Sequence, residues 1–186
     1  DMKARFKACY HVDADRVYFS PGRVNIIGEH IDYNGGLVFP AAISIGTYGA
    51  IKSRTDNIIR FYSNNFKEQG IVTVDLEHLS FQESHGWTNY AKGVIQLLVK
   101  RGHRITHGFD LIVDGNLPHS SGLSSSASLE LLIAYAMNDL FELNLSREAM
   151  ALLGQAVEND YMGMHCGIMD QLIIAKGVLG KALIMN

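Results

Sequence analysis

Proline, cysteine and tryptophan are scarce in this 186-residue chain, with three, two and one respectively. So few prolines, and no low-complexity stretch, exclude a Pro-rich linker or an extended stalk. Two thiols, Cys9 and Cys166, make no disulfide framework, and no Cys/His cluster has zinc-ligand spacing. A reducing compartment is the simpler reading. Positive charge is not in excess: the net charge is −3, which leaves no electrostatic footprint for nucleic acid. Long hydrophobic runs are missing too. The longest, residues 129–137, is broken by Glu130 and falls short of the ~20 residues a bilayer span needs. Residues 1–7 are charged and contain no apolar signal core. The expectation is a soluble, cytoplasmic protein with neither a nucleic-acid nor a membrane partner.

What is present is an ordinary globular composition, 47% hydrophobic and 19% charged, in a chain long enough for one sizeable core. A short helix is expected over residues 2–9. A strand over 16–19 is expected to stop at the breaker cluster Ser20-Pro21-Gly22. Further strands are expected over 37–43, 48–54, 58–63 and 71–74, so the first part is mostly β. The second part is mostly α. Helices are expected over 89–99, over 123–140, from the N-cap Ser146 through 161, and over 168–176. Strands are expected at 109–113 and 182–185. The helix at 123–140 is apolar almost all round, with Glu130 its only charge before Asp139, which marks it as central and buried. This order suits an α+β fold, a mixed sheet with helices packed on one side.

Two segments carry the chemistry. Pro21-Gly22-Arg23-Val24-Asn25-Ile26-Ile27-Gly28-Glu29-His30-Ile31-Asp32-Tyr33-Asn34-Gly35-Gly36 packs an arginine, two carboxylates and a histidine among glycines. Such groups can read the positions of sugar hydroxyls, which both donate and accept, or they can be a solvated loop of surface ion pairs. Leu117-Pro118-His119-Ser120-Ser121-Gly122-Leu123-Ser124-Ser125-Ser126-Ala127-Ser128 runs into the apolar helix. Free N–H groups at that helix start, with glycine and serine hydroxyls, suit a phosphate cradle; the alternative is a serine-rich cap. The Walker lysine and the dinucleotide fingerprint are both absent. Asp170 is either a buried base or a charge at a helix start. Glu158 is either a magnesium ligand or an exposed carboxylate. Trp87 and Tyr90 either flank a base or pack in the core.

Residues 22–33, 87–94, 122–130 and 166–171, in this order, resemble the galactokinases of the GHMP kinase superfamily. The serine loop alone would indicate only the superfamily, and the Arg23–Tyr33 segment makes the resemblance specific. It implies the superfamily's N-terminal fold, like domain 2 of ribosomal protein S5, over residues 1–186, with the family's C-terminal domain not among these residues. It implies ATP-dependent phosphorylation of the C1 hydroxyl of D-galactose. In that reading Asp170 is the base and Arg23 assists it. Glu29, His30, Asp32 and Gly167 hold the sugar. Gly122, Leu123, Ser124, Ser125 and Ser126 cradle ATP, and Trp87 and Tyr90 border its base. Ser126 and Glu158 are the Mg²⁺ ligands.

The sequence departs from the family pattern at Ile31, where threonine is usual, and at His119-Ser120-Ser121, where glycine or asparagine commonly precedes Gly122. Two competing readings keep the same loops: a kinase for N-acetylgalactosamine, and a sensor that binds without turnover. The expectation for residues 1–186 alone is that they fold at least partly and phosphorylate galactose poorly or not at all.

Overall fold

The computed structural model describes residues 1–27, 39–117 and 125–177. Helix α1 (Met2–Tyr10) leads into β1 (Arg16–Ile27), β2 (Phe39–Ser53), β3 (Ile58–Ser63) and β4 (Val72–Asp75). Then follow α2 (Thr88–Lys100), β5 (Phe109–Gly115), α3 (Ser125–Phe141), α4 (Arg147–Ala156) and α5 (Met169–Lys176). The five strands form one sheet in the order β1-β2-β5-β3-β4. Only β3 and β5 pair in parallel, so the sheet is mixed, as the element order implied. Among the described residues no helix is long and apolar enough to cross a membrane.

Strand alternation sorts the core. Ile51, Leu111 and Val113 face the large cluster under α2 to α5, whereas Ala50 and Ile112 face Phe6 and Tyr10 of α1. Helix α1 thus covers part of the opposite face, fastened by the Tyr10 hydroxyl donating to Leu111 O at 2.7 Å. Helix α3 is the central one, buried from Ala127 to Ala134.

Three elements differ from expectation. Strand β1 does not stop at Ser20-Pro21-Gly22 but continues to Ile27. It lies at the sheet edge, where a proline's missing N–H breaks no ladder. Pairing with β2 slips between Pro21 and Arg23. Gly46, opposite Pro21, accommodates the close approach: a Cβ there would collide with Ser20 O. The slip also changes the phase of the strand. Ser20 and Arg23, three residues apart, are both buried at 4% and 7% exposure, whereas Phe19 and Val24 are exposed. Second, β2 is one 15-residue strand where two were expected, because Gly46 and Thr47 continue the ladder. Third, the helix begun at Ser146, whose side chain accepts from Ala149 N, gives way after Ala156 to a wider π-helical turn, Val157–Tyr161. There Met162 N–H reaches Val157 O, five residues back, at 2.9 Å. The strand expected at 182–185 lies outside the described residues.

Candidate active site

The phase change in β1 turns Arg23 toward the helices. There its Nε donates to Asp170 Oδ1 at 2.5 Å, across 147 residues of chain. Asp170 stands in the first turn of α5, and its side chain keeps 30% exposure, while that of Arg23 has 9%. One carboxylate oxygen is therefore held by a buried guanidinium in a rigid geometry, and the group as a whole still reaches solvent. The loop entering α5 is also fixed. Cys166 N–H donates to Asn159 Oδ1 at 3.0 Å, and Gln155 Nε2 donates to Cys166 O at 3.3 Å. Gly167 lies in this loop, immediately before Ile168 and Met169.

Beside Asp170 lies a buried carboxyl pair. Glu158 is not the exposed residue that a regular helix makes it. The π-helical turn carries it inward, and it is buried. Burial pushes its carboxyl up, hydrogen bonds with Ser126 and Glu130 pull it back, and the Asp170 charge adds to the rise. Glu130, in the second turn of α3, is fully buried. Burial, then the neighbouring Glu158 charge, push it up to about 10. At neutral pH Glu130 therefore carries a proton, and its carboxyl shares a hydrogen bond with that of Glu158. Among the described residues its Oε2 accepts from no donor, which suits a neutral carboxyl better than a carboxylate.

Ser126 and Glu158 thus offer a hydroxyl and a carboxylate side by side. They are hard oxygen donors of the kind Mg²⁺ takes when substrate phosphates and waters complete its shell. Among the described residues no group of three or more His, Cys, Asp or Glu is arranged to hold a metal by itself.

On the other side of Ser126 is a cavity of about 160 Å³, lined among others by Ser125, Ser126, Leu129, Trp87, Tyr90 and Phe66. Trp87 and Tyr90 therefore come together with the serine start of α3. The Glu158 and Glu130 charges reach the Tyr90 phenol, which burial first of all pushes up to about 12. Trp87 is held in place from behind. Asn89 clamps the backbone of Gln82, donating to its O at 2.7 Å and accepting from its N at 3.1 Å. Lys92, fully buried, donates to Ser80 O at 2.9 Å and contacts His85 Nδ1 at 2.8 Å. Asn89 and Lys92 thus hold the segment preceding Trp87.

Thr47, Ser63, Asn65, Phe66 and Gly115 also line the cavity, and the sequence had not marked them. Asn65 exchanges hydrogen bonds with Gly115, accepting from its N and donating to its O, both at 2.7 Å. A polar pair of turn residues after a strand resembles any loop, so no signal singled them out. Glu130 was legible as the only charge before Asp139 in an apolar helix. Arg23, Asp170, Glu158, Ser125, Ser126, Trp87, Tyr90 and Gly167 all lie within the described residues. Glu29, His30, Asp32, Gly122, Leu123 and Ser124 lie outside them.

A family model for the GHMP kinases N terminal domain matches residues 89–178, and a galactokinase galactose-binding signature matches residues 4–53. Streptococcus thermophilus galactokinase is 51% identical over 176 residues, covering 95% of this chain and 45% of its own. The chain belongs to the GHMP kinase family, in its galactokinase branch. Streptococcus mutans galactokinase is 50% identical over all of this chain, which covers 48% of that protein. This galactokinase-type chain thus spans about half the length of the curated relatives it matches. Among solved structures, Lactococcus lactis galactokinase complexed with galactose superposes with a TM-score of 0.93 at 45% identity, over 98% of this chain and 47% of that one. Methanococcus jannaschii mevalonate kinase, at 23% identity and a TM-score of 0.75, shares the GHMP fold.

Proposed function

We propose that these residues form the nucleotide- and sugar-facing part of an ATP-dependent galactose 1-kinase acting in the cytoplasm. The observation that carries this reading is the convergence of Arg23, Ser126, Glu158 and Asp170 from four separate elements, with Ser126 also lining the cavity that holds Trp87 and Tyr90. Supporting it are the likeness to curated galactokinases and to a galactokinase crystallised with galactose. The relatives' greater length supports reading residues 1–186 as the N-terminal domain, with further chain completing the site.

In this reading the C1 hydroxyl of galactose lies against Asp170. The Asp170 carboxylate, oriented by Arg23, accepts the hydroxyl proton. The sugar oxygen forms a bond to the γ-phosphorus of ATP as the bond from that phosphorus to the bridging β,γ oxygen breaks. ADP leaves, galactose 1-phosphate remains, and the proton rests on Asp170. Such transfer depends on positioning and charge neutralisation, and a placed base adds typically ~10²–10⁴-fold. Glu29, His30, Asp32 and Gly167 hold the sugar. Gly122, Leu123, Ser124, Ser125 and Ser126 meet the phosphates at the start of α3, and Trp87 and Tyr90 border the base. Ser126 and Glu158 would hold Mg²⁺, which supplies neutralisation of phosphate charge.

The test is sugar-dependent ADP release by the natural chain that carries these residues, with galactose, glucose and N-acetylgalactosamine, beside Asp170→Asn. Turnover with galactose that is lost in Asp170→Asn is the expected result. No turnover with any of the sugars, or turnover untouched by the substitution, overturns the reading. Residues 1–186 expressed alone are expected to turn over far more slowly than that chain in the same assay.

A further inference from the structure

We infer that Glu130 and Gln171 are positioning residues for the phosphoryl transfer proposed above: their buried side-chain contact sets the spacing between the phosphate-facing start of α3 and the base-bearing start of α5. This inference rests on that functional reading. Glu130 is 0% exposed and Gln171 is 2% exposed. Gln171 Nε2 donates to Glu130 Oε1 at 3.3 Å. Each is tied by position to a residue of the site. Glu130 follows Ser126 by four residues on α3, so the two lie on one face of that helix. Gln171 directly follows Asp170 on α5.

A third helix makes room for the contact. On α4, Gly154 faces Gln171, and a Cβ at that position would stand 2.9 Å from Gln171 Cγ and 3.3 Å from Leu131 Cδ2. The glycine lets the glutamine side chain pass between helices toward Glu130.

Stability gives no reason for this pair. Gln171 Oε1 has no hydrogen-bond partner among the described residues. Burying polar groups that are incompletely paired costs free energy, and apolar side chains of the same size generally do as well or better. What a directional contact provides, and an apolar one does not, is a fixed rotation and height of one helix against another. Helix α5 has only eight residues, and its apolar anchors Met169, Ile173 and Ile174 leave it able to slide or roll on a greasy surface. Asp170 is then held twice. Arg23 fixes its carboxylate from the sheet side, and Gln171 fixes its helix from the α3 side.

The experiment compares Glu130→Leu, Gln171→Met, the double variant and Glu130→Gln in the natural chain carrying these residues. It reads kcat, KM for galactose and thermal midpoint. Displacing reacting groups by about 1 Å can cost about 10²-fold in rate, so Glu130→Leu and Gln171→Met should each lower kcat by that order. KM for galactose should move by less than about 3-fold, since the lost interaction belongs to the transition state. The double variant should fall no further than either single one. Glu130→Gln keeps an acceptor for Gln171 and should recover most of the lost rate, and the midpoint of the double variant, which leaves neither partner buried alone, should stay level or rise. Unchanged kcat, additive losses, or a Glu130→Gln as slow as Glu130→Leu overturns the inference. Should Glu130→Leu not fold, Gln171→Met, which keeps the volume, decides by the same readouts. A parent chain without galactose-dependent turnover is a different result: it sinks the functional reading itself.

Discussion

Arg23 illustrates how much one side chain can be asked to do. Its guanidinium is buried, and it reaches a carboxylate contributed by the far end of the chain. A lysine there keeps the charge but loses the planar fork that fixes the carboxylate's orientation. Arg23→Ala is expected to lower kcat by about 10²-fold, the usual cost of removing a preorganised donor at a charged reacting centre. Arg23→Lys should recover only part of that, and steady-state kinetics with galactose and ATP would show it. On local sequence alone the ordinary reading of Asp170 and of Glu158 was the stronger one, because a carboxylate's burial is set by partners far away in the chain. Glu158 was the harder of the two. A helical wheel drawn at 3.6 residues per turn puts it near the edge of the apolar face. The π-helical turn rotates it inward, and no local residue preference announces such a turn.

Among the elements, α2 and the segment before it behave as one clamp. Asn89 and Lys92 bind that segment, Asn89 at Gln82 and Lys92 at Ser80 and His85, and Gly93 admits the π-helical turn. A Cβ at Gly93 would lie 2.8 Å from both Tyr161 Cδ1 and Val157 Cγ1. Tyr161 cannot easily swing away, since its hydroxyl donates to Leu79 O at 2.7 Å. Gly93→Ala is therefore expected to destabilise by about 1–3 kcal/mol in denaturant unfolding, as overpacked sites do. His85 supplies a pH dependence. Burial, then the Lys92 charge, lower its pKa below the usual histidine value. The unfolded chain thus binds the proton more readily than the folded one. This contribution to stability is complete above about pH 6.5 and is lost as pH falls through the folded value. The thermal midpoint should fall on acidification below that pH, and more steeply in the parent than in His85→Gln. Helices were read well from their apolar spacing. The long second strand and the continuation of β1 were not, because proline and glycine punctuate a sequence in the same way whether a strand ends or slips.

At the scale of the molecule, the order of elements was enough to indicate an α+β fold with a mixed sheet, and four short segments were enough to indicate the galactokinase branch of the GHMP kinase family. The residues that line the cavity beside Trp87 and Tyr90 from the ends of β3 and β5 were out of reach. They meet only because a parallel pairing brings strand ends together that are 50 residues apart, as Asn65 and Gly115 are. The slip in β1 has a consequence for how this protein tolerates change. Between Ser20 and Arg23 the chain must contain a fixed number of residues, since that number decides which face of the sheet receives the arginine and which receives Val24. Their identity matters less. Pro21→Ala is expected to leave turnover close to the parent rate, whereas deletion of Pro21 should cost as much as Arg23→Ala, with Val24 brought to the site in its place. Here the genetic lesion to fear is an indel of one codon, and a missense change at the same codon is nearly silent.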